Sequence, residues 1–246
     1  MKQSWIDYAI LVSASVLLWQ AAYYFAGPEA IAPPIKTVER LGVLMHGARF
    51  WEDARATGVA FAYAGTVALA GGLVLGIAIG ASRAAHQILT PILSTLYSIP
   101  KIMLYPVVLL VFGLGLSAKV AFGAMHGFFP VALFAIGAIR NIPPVLVRTG
   151  RVMRLSRLDL VRSILLPAAL PEIVTGLRIG FSTTLLGTLM GELFASSKGL
   201  GFMLIRAMDI HNVPDIMALT LLLFLVATAA NTLILAVEKR VHSHGT

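Results

Sequence analysis

The stretch from Asn141 to Arg178, NIPPVLVRTGRVMRLSRLDLVRSILLPAALPEIVTGLR, decides how the chain is read. It holds Arg148, Arg151, Arg154, Arg157, Arg162 and Arg178, with Arg140 just before it, against two acids, Asp159 and Glu172. Pro143 and Pro144 stand near one end, and Pro167 and Pro171 towards the other. Within it, Ser156-Arg157-Leu158-Asp159 predicts a helix start, because the serine oxygen accepts from a free amide and an acid three residues on reaches back. The helix is predicted to run through Val161 and Leu165 and to stop before Pro167, since the residue before a proline resists helical geometry. Leu158, Val161 and Leu165 share one face; Arg157 and Arg162 lie towards another. Such an element either presses into a groove on a soluble partner or is a solvated loop that fixes topology. Charge alone does not separate the two.

The surrounding sequence supplies the context. Of 246 residues, 58% are hydrophobic and only 12% charged, with mean hydropathy +0.87. Soluble domains carry about a quarter of their residues charged, so lipid is the solvent for most of this chain. A net charge of +8 would suggest nucleic acid in a soluble protein. In a membrane protein it reads as basic cytoplasmic loops, and no nucleic-acid partner is expected. With no cysteine, disulfides, cysteine-ligated metals and thiol nucleophiles are excluded. The first apolar segment is too long for a signal peptide's core, and no small-x-small cleavage site stands out.

A crossing needs about 20 apolar residues. Six are predicted, over residues 8–27, 56–82, 86–112 (broken near Pro100), 120–139, 173–193 and 216–237. Between the first two, Ile35 to Trp51 reads as an amphipathic surface helix, with Phe50 and Trp51 at the headgroups. In the second span Ala64, Ala68, Gly72, Gly76 and Gly80 recur every fourth residue, a ridge that lets helix backbones approach closely. It serves either packing within the subunit or a dimer seam. The break at Ile99-Pro100-Lys101 puts a cation at membrane depth, which is tolerated where it faces protein or a water-filled path; an interfacial turn is the alternative. Gly113-Leu114-Gly115-Leu116-Ser117 is a tight turn. His126, alone in the fourth span, reads as hydrogen-bonded to a neighbouring helix or as a ligand. Ala195 to Pro214 is a polar excursion. With both termini inside, the inner loops hold Lys2, Arg83, the arginine-rich loop 140–172, Lys239 and Arg240. The outer loops hold Lys36, Arg40, Arg49, Arg55, Lys119, Lys198 and Arg206, so the positive-inside rule favours this orientation.

Several segments together resemble one family. Leu155-Ser156-Arg157, Leu160, Leu165-Leu166-Pro167-Ala168-Ala169-Leu170-Pro171 and Thr175-Gly176-Leu177-Arg178 look like the coupling-helix region of bacterial ABC importer permeases, in particular the nitrate/sulfonate/taurine type. Phe112-Gly113-Leu114-Gly115 with Ser117 and Lys119, Phe128-Phe129-Pro130, and Gly191-Glu192 followed by Ser196-Ser197-Lys198-Gly199-Leu200-Gly201 fall where that family places similar segments. The resemblance runs from about residue 15 to 240. One departure sits on the family's signature, which begins Glu-Ala-Ala and carries a glycine some residues later. Here Arg148-Thr149-Gly150 and Arg154 take those places. Either the partner carries compensating acids or coupling is altered.

The resemblance implies an all-α membrane protein with six transmembrane helices and a cytoplasmic coupling helix between spans four and five (the type I ABC importer permease fold). It implies a single permease domain over 1–246 in the bacterial inner membrane, multi-pass, with both termini cytoplasmic. Implied partners are cytoplasmic ABC ATPase subunits, a second permease copy or homologue, an extracytoplasmic solute-binding protein and membrane lipid. ATP and Mg belong to the ATPase; this chain has no G-x-x-x-x-G-K-[ST] run to cradle phosphates and is not expected to be an enzyme or to hold a cofactor or metal. The ATPase-coupling residues are then Arg148, Arg151, Arg154, Leu155, Ser156, Arg157, Leu158, Asp159, Leu160 and Pro167. Ser98, Lys101, Tyr105, Met190 and Glu192 are candidate path-lining positions for a small solute, such as a sulfonate or nitrate. An ion-coupled transporter would place acids mid-membrane, and a membrane enzyme would cluster its histidines and acids; neither pattern is present. An ion-coupled secondary transporter or a structural membrane subunit of another complex is the alternative.

Overall fold

The computed structural model describes the backbone of residues 2–243 and the side chains of residues 6–236, except those of Arg151, Arg157 and Ala195. Lys2, Lys239 and Arg240 thus lie outside the described side chains, as do the candidate residues Arg151 and Arg157. The described chain is helical, with no strand. Twelve helices follow one another: α1 (Lys2–Ala26), α2 (Pro34–His46), α3 (Ala48–Thr66), α4 (Gly72–Ala81), α5 (Arg83–Ser98), α6 (Tyr105–Phe112), α7 (Leu116–Arg140), α8 (Pro144–Val152), α9 (Arg157–Leu160), α10 (Leu166–Ala195), α11 (Leu200–Asp209) and α12 (Val213–Ser243). A π turn at Val67–Gly71 joins α3 to α4, and another at Val161–Leu165 joins α9 to α10. Among the described residues five continuous helices are long and apolar enough to cross a membrane, and the pair Arg83–Ser98 with Lys101–Phe112, bent by 87°, makes a sixth if it is one span.

Contacts divide the chain into two compact units, residues 1–56 with 198–226 and residues 57–197 with 227–246. In the first, Trp19 Nε1 donates to the Ala32 carbonyl at 3.0 Å. Arg40 pairs with Asp215, its Nη2 reaching Oδ2 at 3.1 Å; that hydrogen bond, and then the carboxylate's charge, raise the Arg40 pKa. Asn212 caps α12, accepting from the Asp215 amide at 3.2 Å and donating to its carboxylate at 2.9 Å.

The second unit is built on α7. The small-residue ridge faces this helix within the same subunit: a Cβ on Gly76 would lie 2.5 Å from the Ala132 carbonyl oxygen and 2.6 Å from Ala135 Cβ. On the side towards α10, a Cβ on Gly127 would meet Thr184 Oγ1 at 1.9 Å, and one on Gly187 would meet His126 at 2.7 Å. Backbones this close gain dispersion contact where lipid supplies no hydrophobic drive. His126 hydrogen-bonds the Phe122 carbonyl of its own helix at 2.8 Å, and packs on α10 rather than bonding to it.

Four expectations from the sequence are corrected. The helix that carries the second crossing begins at Ala48 rather than 56, because its polar opening is absorbed by structure: Asp53 is buried and accepts the Gly199 amide at 2.7 Å. The amphipathic helix ends at His46, and Gly47 separates it from the crossing. Phe50, on α3, is only 4% exposed, whereas Trp51 is exposed. Pro167 does not stop the helix. It falls at the start of α10, directly after the π turn, and such a turn re-spaces the backbone carbonyls ahead of a residue that has no N–H to donate. The helix that carries the fifth crossing therefore runs over Leu158–Phe194, starting well before residue 173. The excursion after it also contains the helix α11.

Candidate functional site

The arginine-rich stretch folds into a helical hairpin of α8 and α9. Helix α8 ends in a Schellman motif: the Leu155 amide donates to the Gly150 carbonyl at 3.1 Å, and Arg154 takes the left-handed conformation at φ 54°. Glycine fits that position without strain, and any other residue is strained there. The two arms close tightly, since a Cβ on Gly150 would lie 2.3 Å from Leu160 Cδ1. Ser156 caps α9 as expected, accepting the Asp159 amide at 3.2 Å, while its hydroxyl donates to the Asp159 carboxylate at 2.6 Å.

That cap occupies the only acid between Arg148 and Pro167. Arg148, Arg154 and Arg162 are exposed, and none forms an ion pair among the described residues. Leu158 (56% exposed), Val161, Val152 and Met153 are exposed beside them. Leu155 and Leu160 are half-buried, and Pro167 is exposed. The result is a cationic and partly apolar hairpin between two long apolar helices.

The path candidates separate into three places. Ser98 ends α5, exposed, and donates to the Ser94 carbonyl of its own helix at 2.9 Å. Lys101 lies at the bend: its Nζ donates to the Tyr97 carbonyl at 3.0 Å and sits 4.5 Å from the Tyr97 ring centre and 5.8 Å from that of Phe129. Tyr105 and Met190 come together against Val108, Ala118 and Phe122. The Tyr105 ring meets Phe122 edge-on at 5.5 Å, and its buried hydroxyl has no hydrogen-bond partner among the described residues. Glu192 is enclosed by its neighbours in this subunit. It is 0% exposed, accepts from Thr57 Oγ1 at 2.9 and 2.8 Å, and pairs with Lys119 Nζ at 3.4 Å.

Lys119, assigned from sequence to an outer loop, is 4% exposed inside α7. Sequence reasoning missed both Lys119 and Thr57 as partners of Glu192, and no local pattern marks them.

A comparison with protein families matches residues 72–243 to the binding-protein-dependent transport system inner membrane component. The chain belongs to this family. It is a multi-pass permease subunit of an ABC importer, the class in which ATP hydrolysis resides in a separate subunit. This permease is 28% identical over 215 residues to a probable ABC transporter permease protein of Haemophilus influenzae, covering 84% of each chain. It is 30% identical to the taurine transport system permease protein of Escherichia coli, over 74% of this chain and 68% of that one. It is also 30% identical to a nitrate import permease protein of Leptolyngbya laminosa, over 78% and 68%. Among solved structures, an inward-facing methionine ABC transporter superposes with TM-score 0.62 at 22% identity, covering 78% of this permease and 96% of that chain. That likeness carries the fold, the type I importer permease.

Proposed function

We propose that this permease lines the import path for a small anion, a sulfonate or nitrate, and that its α8–α9 hairpin docks on a cytoplasmic ATPase. One observation carries the docking: an exposed, arginine-bearing hairpin lies between two long apolar helices, α7 and α10, in a member of an importer family. Movement of the ATPase passes into α10 without a hinge, because α9, the π turn and α10 run on continuously. The same reading makes the hairpin face cytoplasmic, with both termini on that side. It adds a second permease copy or homologue and an extracytoplasmic solute-binding protein, and treats residues 1–246 as one permease domain. The anion is supported by relatives named for taurine and nitrate and by Lys101, a cation at the bend of a broken span.

Arg154→Cys, a single thiol in a cysteine-free chain, tests the docking by crosslinking in cells. A nucleotide-sensitive crosslink to an ABC ATPase subunit is the expected result. A thiol that a reagent reaches from the cytoplasm, yet that crosslinks to no ATPase, refutes it.

A further inference from the structure

Resting on that docking, we infer that the ATPase cleft receiving this hairpin is acidic, and that arginine–carboxylate pairs, centred on Arg154, hold the two together. Three features lead there. The hairpin is cationic without internal relief: Arg148, Arg154 and Arg162 are exposed and unpaired among the described residues, while Asp159 is held by Ser156. A cluster of like charges on a tight hairpin repels itself until a partner supplies the opposite sign.

The second feature is strain. Arg154 occupies φ 54°, closing the Schellman turn where glycine would be free of cost. Backbone strain persists where the side chain has a use that offsets it. A side chain held at a turn tip, beside exposed Met153 and Val152, is placed for contact with a partner rather than with its own fold.

The third is the choice of cation. Residues 140–178 contain seven arginines and no lysine, although the chain has lysines elsewhere. Attraction to an anionic membrane surface draws on lysine and arginine alike. A planar guanidinium adds bidentate recognition of carboxylates and a weaker hydration shell, and arginine with methionine is enriched in protein interfaces. An acidic protein cleft fits the pattern better than lipid does.

The test uses the full-length permease in phosphatidylcholine nanodiscs and the ATPase subunit captured through the Arg154→Cys crosslink. Affinity is expected to fall by about tenfold or more between low and high KCl, as screening removes the interfacial attraction. The double variant Arg148→Glu/Arg154→Glu is expected to bind about tenfold more weakly or worse, with the Lys variants at the same positions recovering part of the loss. Reversing an acid in the ATPase cleft to lysine should restore binding to the Glu variant, a result that misfolding cannot produce. Tight binding that ignores both salt and charge reversal overturns the acidic cleft and leaves the docking intact. Salt sensitivity confined to nanodiscs containing phosphatidylglycerol assigns the arginines to lipid and also overturns it. Failure to capture any ATPase removes the docking itself.

Discussion

Lys119 and Glu192 offer a sharp test of the packing, because neither charge is well placed alone. Lys119 is in the first turn of α7 and Glu192 in the last turn of α10, each at the helix end whose dipole disfavours its sign. Both are buried, with side chains 5% and 0% exposed at 3.4 Å separation. At an effective dielectric of about 20, that distance gives an attraction of about 5 kcal/mol, set against a desolvation penalty of several kcal/mol per ion. The pair therefore nets little, but removing one member takes the counter-charge at 3.4 Å from a buried ion. Lys119→Met is expected to cost about 3–5 kcal/mol. Glu192→Gln, which keeps a hydrogen bond for Thr57, falls in the same range or slightly below it. The double variant Lys119→Met/Glu192→Leu should return to within about 1–2 kcal/mol of wild type, because no charge is left unpaired. Unfolding of the purified protein in mixed micelles, followed by tryptophan fluorescence, measures all three. If the single variants are near neutral, or the double loses the sum of the singles, the pair is not coupled as described.

Arg154→Gly is expected to stabilise the isolated permease by about 1 kcal/mol by relieving the left-handed turn, read as slower hydrogen exchange of the Leu155 amide, while weakening ATPase binding. Gly76→Ala should destabilise by about 1–3 kcal/mol or more, because the nearest atom, at 2.5 Å, is a backbone oxygen that cannot swing away. Gly65→Ala, with nothing within 4 Å, should gain up to about 1 kcal/mol of helix propensity; thermal melts of the two in one detergent provide the comparison. Lys101→Met should lower anion uptake by the reconstituted importer about tenfold, the scale of one charged hydrogen bond, with ATPase binding unchanged; undiminished uptake would remove Lys101 from the path.

What the sequence determined by itself is what local chemistry encodes. Runs of apolar residues set the crossings, because each backbone group in lipid must bond within its own helix. Ser156 and Asp159 stand three residues apart and marked the α9 cap, and Gly113 and Gly115 marked a turn that needs their positive φ of 71° and 108°. Pro100 marked the bend. The resemblance placed Arg154 where its family has glycine, and the backbone there is left-handed. Tertiary structure alone decided the rest. The Ala64–Gly80 ridge announces close packing but not its partner, and only the fold turns it to α7. Pro167 carries a local stop signal that continuous packing and a π turn override. Glu192 looks like a stray acid at a span end until the fold brings up Lys119, 73 residues away, and Thr57, 135 away. A charge's neighbours in sequence say how it leaves water; its neighbours in space decide whether it can stay there.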